Sequence, residues 1–260
     1  MLDHAVVGID HAPATDRLLA ELRELPRLGI TRLTLVTVLG GHYPQAPEER
    51  HRDHYQHRLQ TLATQLPGAE VAAEVRSGPA SDELCHAAVA HDADLIVVGS
   101  HGHTPWRDLF LGSTVLDLLR TSRWPVLLLP LHTATADRGG GVLLATDGSH
   151  SAAQAEQLAA ELGAALGGAA ITVMPPTAAD HDIERANRHL AEAAGATLTP
   201  RVERGPLPET IGRLAQRQHA DLIVVGARGR NPLTGLLLGS TAEHLLRRAS
   251  RPVLLVPGPR

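Results

Sequence analysis

Two stretches of this chain bring together residue types that can hold a phosphate. The first reads Gly99-Ser100-His101-Gly102, nine residues, then Gly112-Ser113-Thr114; the second reads Gly226-Ala227-Arg228-Gly229, nine residues, then Gly239-Ser240-Thr241. Glycines let a backbone turn tightly and come close to an anion. The hydroxyls and N–H groups of Ser113-Thr114 and Ser240-Thr241 can face that anion, and a helix starting there adds the positive end of its dipole. Ser240 with Glu243 matches a capping box, and Thr114 with Asp117 a weaker form of one. Arg228 and Arg230 add cations in the second stretch, where the first has His101, His103 and Arg107. Neither stretch contains a lysine, so neither is a lysine-bearing phosphate loop, and the spacing is not that of the dinucleotide fingerprint.

A second pair of residues belongs with these stretches. Asp10 closes the apolar run Ala5-Val-Val-Gly-Ile, and Asp147 closes Val142-Leu-Leu-Ala-Thr. A carboxylate at such a strand end can accept hydrogen bonds from ribose hydroxyls or a base. In an open α/β sheet a ligand lies beyond the carboxyl ends of the strands where strand order reverses; in the order 3-2-1-4-5 that place falls between strands one and four. Asp10 and Asp147 end the first strands, and Gly99 and Gly226 end the fourth. The end of the second strand, near Val38 or Met174, can then receive an adenine.

The elements that must position these residues alternate in type. Short apolar runs at 5–9, 33–38, 71–75, 94–98 and 126–129 read as strands buried on both faces. Helical spacing marks 14–28, 48–65, the segment opened by Gly78-Pro79, and 113–120, with both prolines of the Gly-Pro pairs expected early in their helices. The pattern restarts after a polar, glycine-ending linker at 132–141, dividing the chain into units at 1–131 and 142–260. Strands are expected at 142–146, 171–174, 197–204, 221–225 and 253–256, with Pro200 placing its strand on an edge. Helices are expected at 151–166 and 178–194, after Gly205-Pro206, and after Gly239.

The restart is a repeat in register. Gly78 and Gly205, Gly99 and Gly226, Gly112 and Gly239, and Pro125 and Pro252 are all 127 residues apart, whereas Asp10 and Asp147 are 137 apart. The first half thus carries ten extra residues upstream, expected in the loop near 40–50. Alternating strands and helices in each half predict two α/β units with parallel sheets.

Composition removes several classes of function. Aromatic residues are only 2% of the chain, too few for base-stacking platforms, and the net charge of −4 offers no general attraction to nucleic acid or anionic membrane. The single cysteine, Cys85, excludes a disulfide framework and reads as a small hydrophobe in a helix. No run approaches the roughly 18 apolar residues of a membrane span. The N-terminus does not read as a signal peptide, so a cytoplasmic protein is expected.

These features resemble the universal stress protein family in its tandem two-domain form. The residues carrying the resemblance are Val-Gly-Ile-Asp10 and Ala-Thr-Asp147-Gly-Ser, the two glycine stretches, and the closing Pro-Val-Leu-Leu-Leu-Pro130 and Pro-Val-Leu-Leu-Val-Pro257. The glycine spacing resembles that of the family's ATP-binding branch. The resemblance implies two Rossmann-like five-stranded sheets of order 3-2-1-4-5, covered on both faces by helices, with the fifth strands pairing antiparallel within the chain. It implies ATP or another adenine nucleotide with Mg²⁺, a regulatory role under stress with an unknown protein partner, and room for a further homodimer. The first half departs from the pattern, with Asp10-His11-Ala12 where Asp-Gly-Ser is typical, and it lacks an arginine equivalent to Arg228.

Two other readings compete. His101 and His103 can assist slow ATP hydrolysis or autophosphorylation. Alternatively, the histidine-rich segment 42–57, with His42, His51, His54 and His57 beside Glu48, Glu49 and Asp53, can bind a metal. Nothing in the sequence forms a nucleophile–base pair, so a regulator is preferred to an enzyme.

Overall fold

The computed structural model describes residues 2–10, 14–40, 48–100, 112–131, 138–174, 180–194, 197–227 and 240–258; the side chains of 48–51, 194, 240 and 241 are outside the description. In the first half, β1 (His4–Gly8), β2 (Arg32–Leu39), β3 (Glu70–Ser77), β4 (Leu95–Gly99) and β5 (Val126–Leu129) alternate with α1 (Thr15–Leu22), α2 (Glu48–Ala63), α3 (Ala80–Ala90) and α4 (Ser113–Thr121). The second half repeats this with β6 (Val142–Ala145), β7 (Gly168–Met174), β8 (Thr199–Arg204), β9 (Leu222–Gly226) and β10 (Val253–Val256). Its helices are α5 (Ala153–Leu166), α6 (Asp180–Ala194), α7 (Leu207–Arg217) and α8 (Ser240–Arg248).

The ten strands among the described residues form one sheet of order β3-β2-β1-β4-β5-β10-β9-β6-β7-β8. Each half is parallel within itself and has the expected order. The halves meet where β5 and β10 pair antiparallel, Leu127 opposite Leu254. Pro200 lies on β8, an edge strand, where its missing N–H costs the sheet no interior hydrogen bond. One apolar layer, containing Leu19, Leu22, Leu33, Leu59, Leu144 and Leu190, lies on the α1/α2/α5/α6 face. The other contains Leu84, Ile96, Leu118, Ile171, Ile211 and Leu246, on the α3/α4/α7/α8 face. Each layer runs through both halves without a break. Among the described residues no helix is long and apolar enough to cross a membrane.

The repeat extends to single hydrogen bonds. Asp94 Oδ2 accepts the N–H groups of Asp3 and His4 at 2.9 Å, tying the start of β4 to the start of β1; Asp221 Oδ2 accepts the N–H of Gly141 at 2.9 Å in the same way. Thr37 Oγ1 donates to the carbonyl of Ile9, and Thr172 Oγ1 to that of Thr146. These bonds fix where the first strand of each half ends, and so where Asp10 and Asp147 stand.

Several local expectations are corrected. Helix α1 stops at Leu22 and is followed by a 3-10 turn at Leu25–Leu28, because Pro26 cannot continue an α-helix. Pro79 and Pro206 sit at the N-caps with extended backbone rather than inside the first turn; the proline within α7 is Pro208. The ten extra residues of the first half are not concentrated near 40–50. Only eight residues separate Leu39 from Glu48, against five between Met174 and Asp180, and the remainder is spread over the other connections and over β3. Cys85 lies in α3 as expected but is only half-buried, and desolvation pushes its thiol pKa up.

Candidate functional site

At the carboxyl end of the first half, five separate parts of the chain converge on a crevice of about 400 Å³. Asp10 lies just past β1, Val36 and Val38 line it from β2, and Gly99 ends β4. Gly112, Ser113 and Thr114 enter from the start of α4, and Leu84 from α3. A Cβ on Gly8 would stand 3.3 Å from Leu84, so β1 and α3 are already in close contact beneath the crevice. The wall formed by Val36, Val38, Leu84 and Val98 is apolar, and Asp10, Ser113 and Thr114 supply the polar side chains of the lining. This has the makeup of a small-molecule site, in both size and mixture of surfaces.

Gly112, Ser113 and Thr114 do not behave as a capping sequence. Gly112 itself is the N-cap of α4, and no side chain among the described residues caps the helix. Ser113 and Thr114 are its first two helical residues, and the first turn contains no acidic residue. The capping box expected from Thr114 and Asp117 is therefore absent. Backbone N–H groups at a helix start without an acidic residue favour an anion. A Cβ at Gly112 would meet no described atom within 4 Å, so packing does not require glycine there. Gly99 is different. A Cβ there would lie 2.5 Å from Leu131 Cδ1, so an added side chain would have to push the end of Leu131 aside. Leu131 is held in place by its N–H donating to Ser100 Oγ at 3.0 Å and its carbonyl accepting from Arg17 at 2.7 Å. Ser100 is buried and has this structural duty.

The second half is built differently at the same end. Asp147 Oδ1 accepts the N–H of Ser149 at 3.0 Å, a local turn bond. Thr146 Oγ1 donates to Glu156 and accepts the N–H of Gly148 at 3.0 Å, while His189 Nε2 lies 2.8 Å from the same Glu156 oxygen. In the first half Ile9 and Leu19 occupy the positions of Thr146 and Glu156 under the 137-residue shift, so this polar network has no counterpart there. Beside it is a cavity of about 360 Å³ lined by Asp147, Gly148, Met174, Asp182, Arg185 and His189, with Arg185 paired to Asp182.

Met174 is thereby separated from the role paired with Val38. The equivalent N–H groups of Gly78 and Gly205 bond to Leu39 and Met174 respectively, which makes Leu39 the counterpart of Met174 and Val173 that of Val38. Successive strand residues point to opposite faces. Val38 and Val173 both join the core layer of α3 and α7, whereas Met174 lines the cavity beside α6. Val173 was missed, although counting back from Gly205 would have found it.

Gly226 ends β9, and Ala227 N–H bonds to the carbonyl of Val256 at 2.8 Å as Ser100 N–H does to Leu129 at 2.9 Å. His101, Gly102, Arg228, Gly229 and Gly239 lie outside the described residues. Ser240 and Thr241 are placed only as the backbone start of α8. On α2, His54 and His57 are exposed, while His42 and the side chain of His51 lie outside the description. No three His, Cys, Asp or Glu side chains among the described residues gather as a metal site.

The sequence profile of the universal stress protein family matches residues 1–130 and 173–257. The chain is 26% identical to a universal stress protein of Mycolicibacterium smegmatis over 285 residues, spanning 96% of each chain. It is equally identical to the universal stress protein Rv2623 of Mycobacterium tuberculosis, over 96% of this chain and 95% of the relative. The crystal structure of a universal stress protein from Archaeoglobus fulgidus superposes with a TM-score of 0.76 at 22% identity, over 98% of this chain and 96% of the other. That likeness extends over both halves and the sheet that joins them.

Proposed function

This chain belongs to the universal stress protein family, and from that premise we propose that it is a tandem nucleotide-binding regulator of a stress response. The units run from 1 to 131 and from 142 to 260, and each takes ATP or another adenine nucleotide at the carboxyl end of its strands. The reading places the protein in the cytoplasm and makes it a sensor rather than an enzyme.

The first-half crevice carries this reading. Asp10, Val38, Gly99 and Gly112–Thr114, chosen for their chemistry from more than a hundred residues of chain, line one space. The adenine lies on the apolar wall of Val36, Val38 and Val98, and the ribose hydroxyls donate to Asp10. The phosphates face the N–H groups that open α4. Mg²⁺ takes hard oxygen ligands, and the Asp10 carboxylate with the Ser113 and Thr114 hydroxyls offers them. When bound, the ion would neutralise phosphate charge at this end of the crevice. In the second half, Asp147, Gly226, Arg228, Gly229, Gly239, Ser240 and Thr241 form the corresponding set.

Gly112→Val tests the assignment, because the described structure has room for the added side chain and the proposed phosphate position does not. Equilibrium dialysis with labelled ATP should give about two nucleotides per wild-type chain and about one for the variant, with the thermal midpoint unchanged. Full stoichiometry in Gly112→Val would sink the first-half site. Release of ADP faster than about one per minute, a turnover within reach of a modest catalyst, would convert the regulator into an enzyme.

A further inference from the structure

The antiparallel pairing of β5 with β10 has a chemical result at the seam between the halves. It sets the amino end of β5 beside the carboxyl end of β10. The turn from α4 into β5, remote from the first half's own crevice, therefore stands against the carboxyl end of the second half. There Arg120, Arg123 and Trp124 from the first half and Gln154, Ala227 and Gly258 from the second line a cavity of about 680 Å³. Ala227 directly follows Gly226, where the second glycine stretch opens, and Arg228 is next in the chain.

The turn presents its cations in a fixed way. Ser122 Oγ accepts the N–H of Trp124 at 3.0 Å and donates to the carbonyl of Trp124 at 2.9 Å, closing the turn on itself. The Arg123 guanidinium lies over the Trp124 ring, 4.2 Å from its centroid. Stacking of this kind orients the fork while leaving its N–H donors for an anion. Among the described residues, no aspartate or glutamate lines the cavity. Among the described residues, neither Arg120 nor Arg123 has an acidic partner.

The pseudo-symmetric position shows that this arrangement is not a by-product of the repeat. The 127-residue shift places Arg247, Ser250 and Arg251 at the positions of Arg120, Arg123 and Trp124. Arg247 is paired with Glu243 at 2.7 Å, and Arg251 is buried. Gln154 is replaced by Arg17, which is bonded to the carbonyl of Leu131, and Gly258 is replaced by Leu131 itself, packed over Gly99. One side of the seam is filled by buried side chains; the other is open and cationic.

We propose that this seam is an oligophosphate site, in which Arg120 and Arg123 of the first half reach across to hold the terminal phosphates of a nucleotide seated in the second half. The nucleotide as the source of that phosphate rests on the function proposed above; the anion site itself does not. A free inorganic polyphosphate presents the same chemistry. The first half would then complete the second half's site and sense whether a triphosphate is bound.

Calorimetric titration of the full chain decides it, with inorganic tripolyphosphate, ATP and AMP as probes. Wild type should bind one tripolyphosphate at the seam. Arg120→Ala/Arg123→Ala should weaken it at least about tenfold, the scale of losing charge-assisted hydrogen bonds. Arg52→Ala/Arg58→Ala, which removes the same charge from the exposed face of α2, should change nothing. If the nucleotide supplies the phosphate, the seam variant also loses about tenfold in ATP affinity at one site while AMP binding is unchanged. Loss of tripolyphosphate alone identifies the free anion as the ligand. Failure of wild type to bind tripolyphosphate, or an equal loss in the α2 variant, overturns the seam site. Failure of ATP and AMP to bind anywhere overturns the nucleotide reading, and the tripolyphosphate arm still decides the seam.

Discussion

His4, the first residue of β1, is buried and 8% exposed, with Nε2 2.9 Å from Thr34 Oγ1. Burial, and then the neighbouring positive charge of Arg32 and His91, hold its imidazole pKa below the usual 6.5; the His91 backbone and Asp94 pull weakly the other way. The folded state therefore holds His4 neutral, while the unfolded chain takes up a proton near pH 6.5. The sign follows from linkage: where the unfolded state binds more protons, stability falls as pH falls. The loss begins as pH drops through about 6.5 and levels off below the folded value. The chain has 16 histidines, so the comparison must be with a variant. Urea midpoints at pH 7, 6 and 5 should fall less steeply for His4→Gln than for wild type. Equal slopes would show that the fold tolerates a protonated His4. Nothing in the spacing around His4 marks it as buried; it is legible only once Asp94, ninety residues away, is seen to hold its N–H.

At the scale of elements, the turns into β4 and β9 carry the same backbone departure. Asp92 has φ of 48° and His219 of 53°, and the two are 127 residues apart. An L-residue in the left-handed region costs roughly 1–2 kcal/mol, and the greater freedom of a glycine in the unfolded chain offsets part of the relief that the substitution brings. Both residues are exposed, so packing does not oppose the change. Asp92→Gly and His219→Gly should each stabilise by about 0.5–1 kcal/mol in chemical denaturation. A loss in either would mean that its side chain does something the backbone does not reveal. The elements themselves were legible because their apolar runs and glycines are periodic, and two copies in register reinforce each other. Which face of a strand a residue serves was less so. Val38 and Met174 both look like the end of a second strand, and a one-residue difference in register sends them to opposite sides of the sheet. The Thr146–Glu156–His189 network was invisible for another reason: its members share no spacing, and α6 brings His189 to the other two only through the fold.

The whole molecule is one sheet with two continuous cores, so its cohesion depends on the seam. Only three residue pairs join β5 to β10. On the α1 side the seam also contains an ion pair between Glu21, 6% exposed, and Arg138, 10% exposed, which lies at the end of the connection between the halves. Arg27 approaches Asp221 nearby at 3.9 Å, but its side chain is half-exposed and contributes little. The buried pair differs, because removing one partner leaves a charge without water or a counter-ion. Glu21→Ala should therefore destabilise the chain by about 3 kcal/mol. Glu21→Leu/Arg138→Met, which removes both charges and keeps the volume, should be close to neutral. The cycle also tests whether the halves unfold together. If the seam couples them, Glu21→Ala lowers a single transition seen alike by calorimetry and by far-ultraviolet circular dichroism. If each half stands alone, the variant instead splits the transition, with the second half melting where it does in wild type. Linker composition around 132–141 suggested a simple tether, and polar residues there read alike whether they are solvated or buried. What distinguishes Arg138 is a glutamate 117 residues earlier in the chain, and only the closed sheet brings the two together.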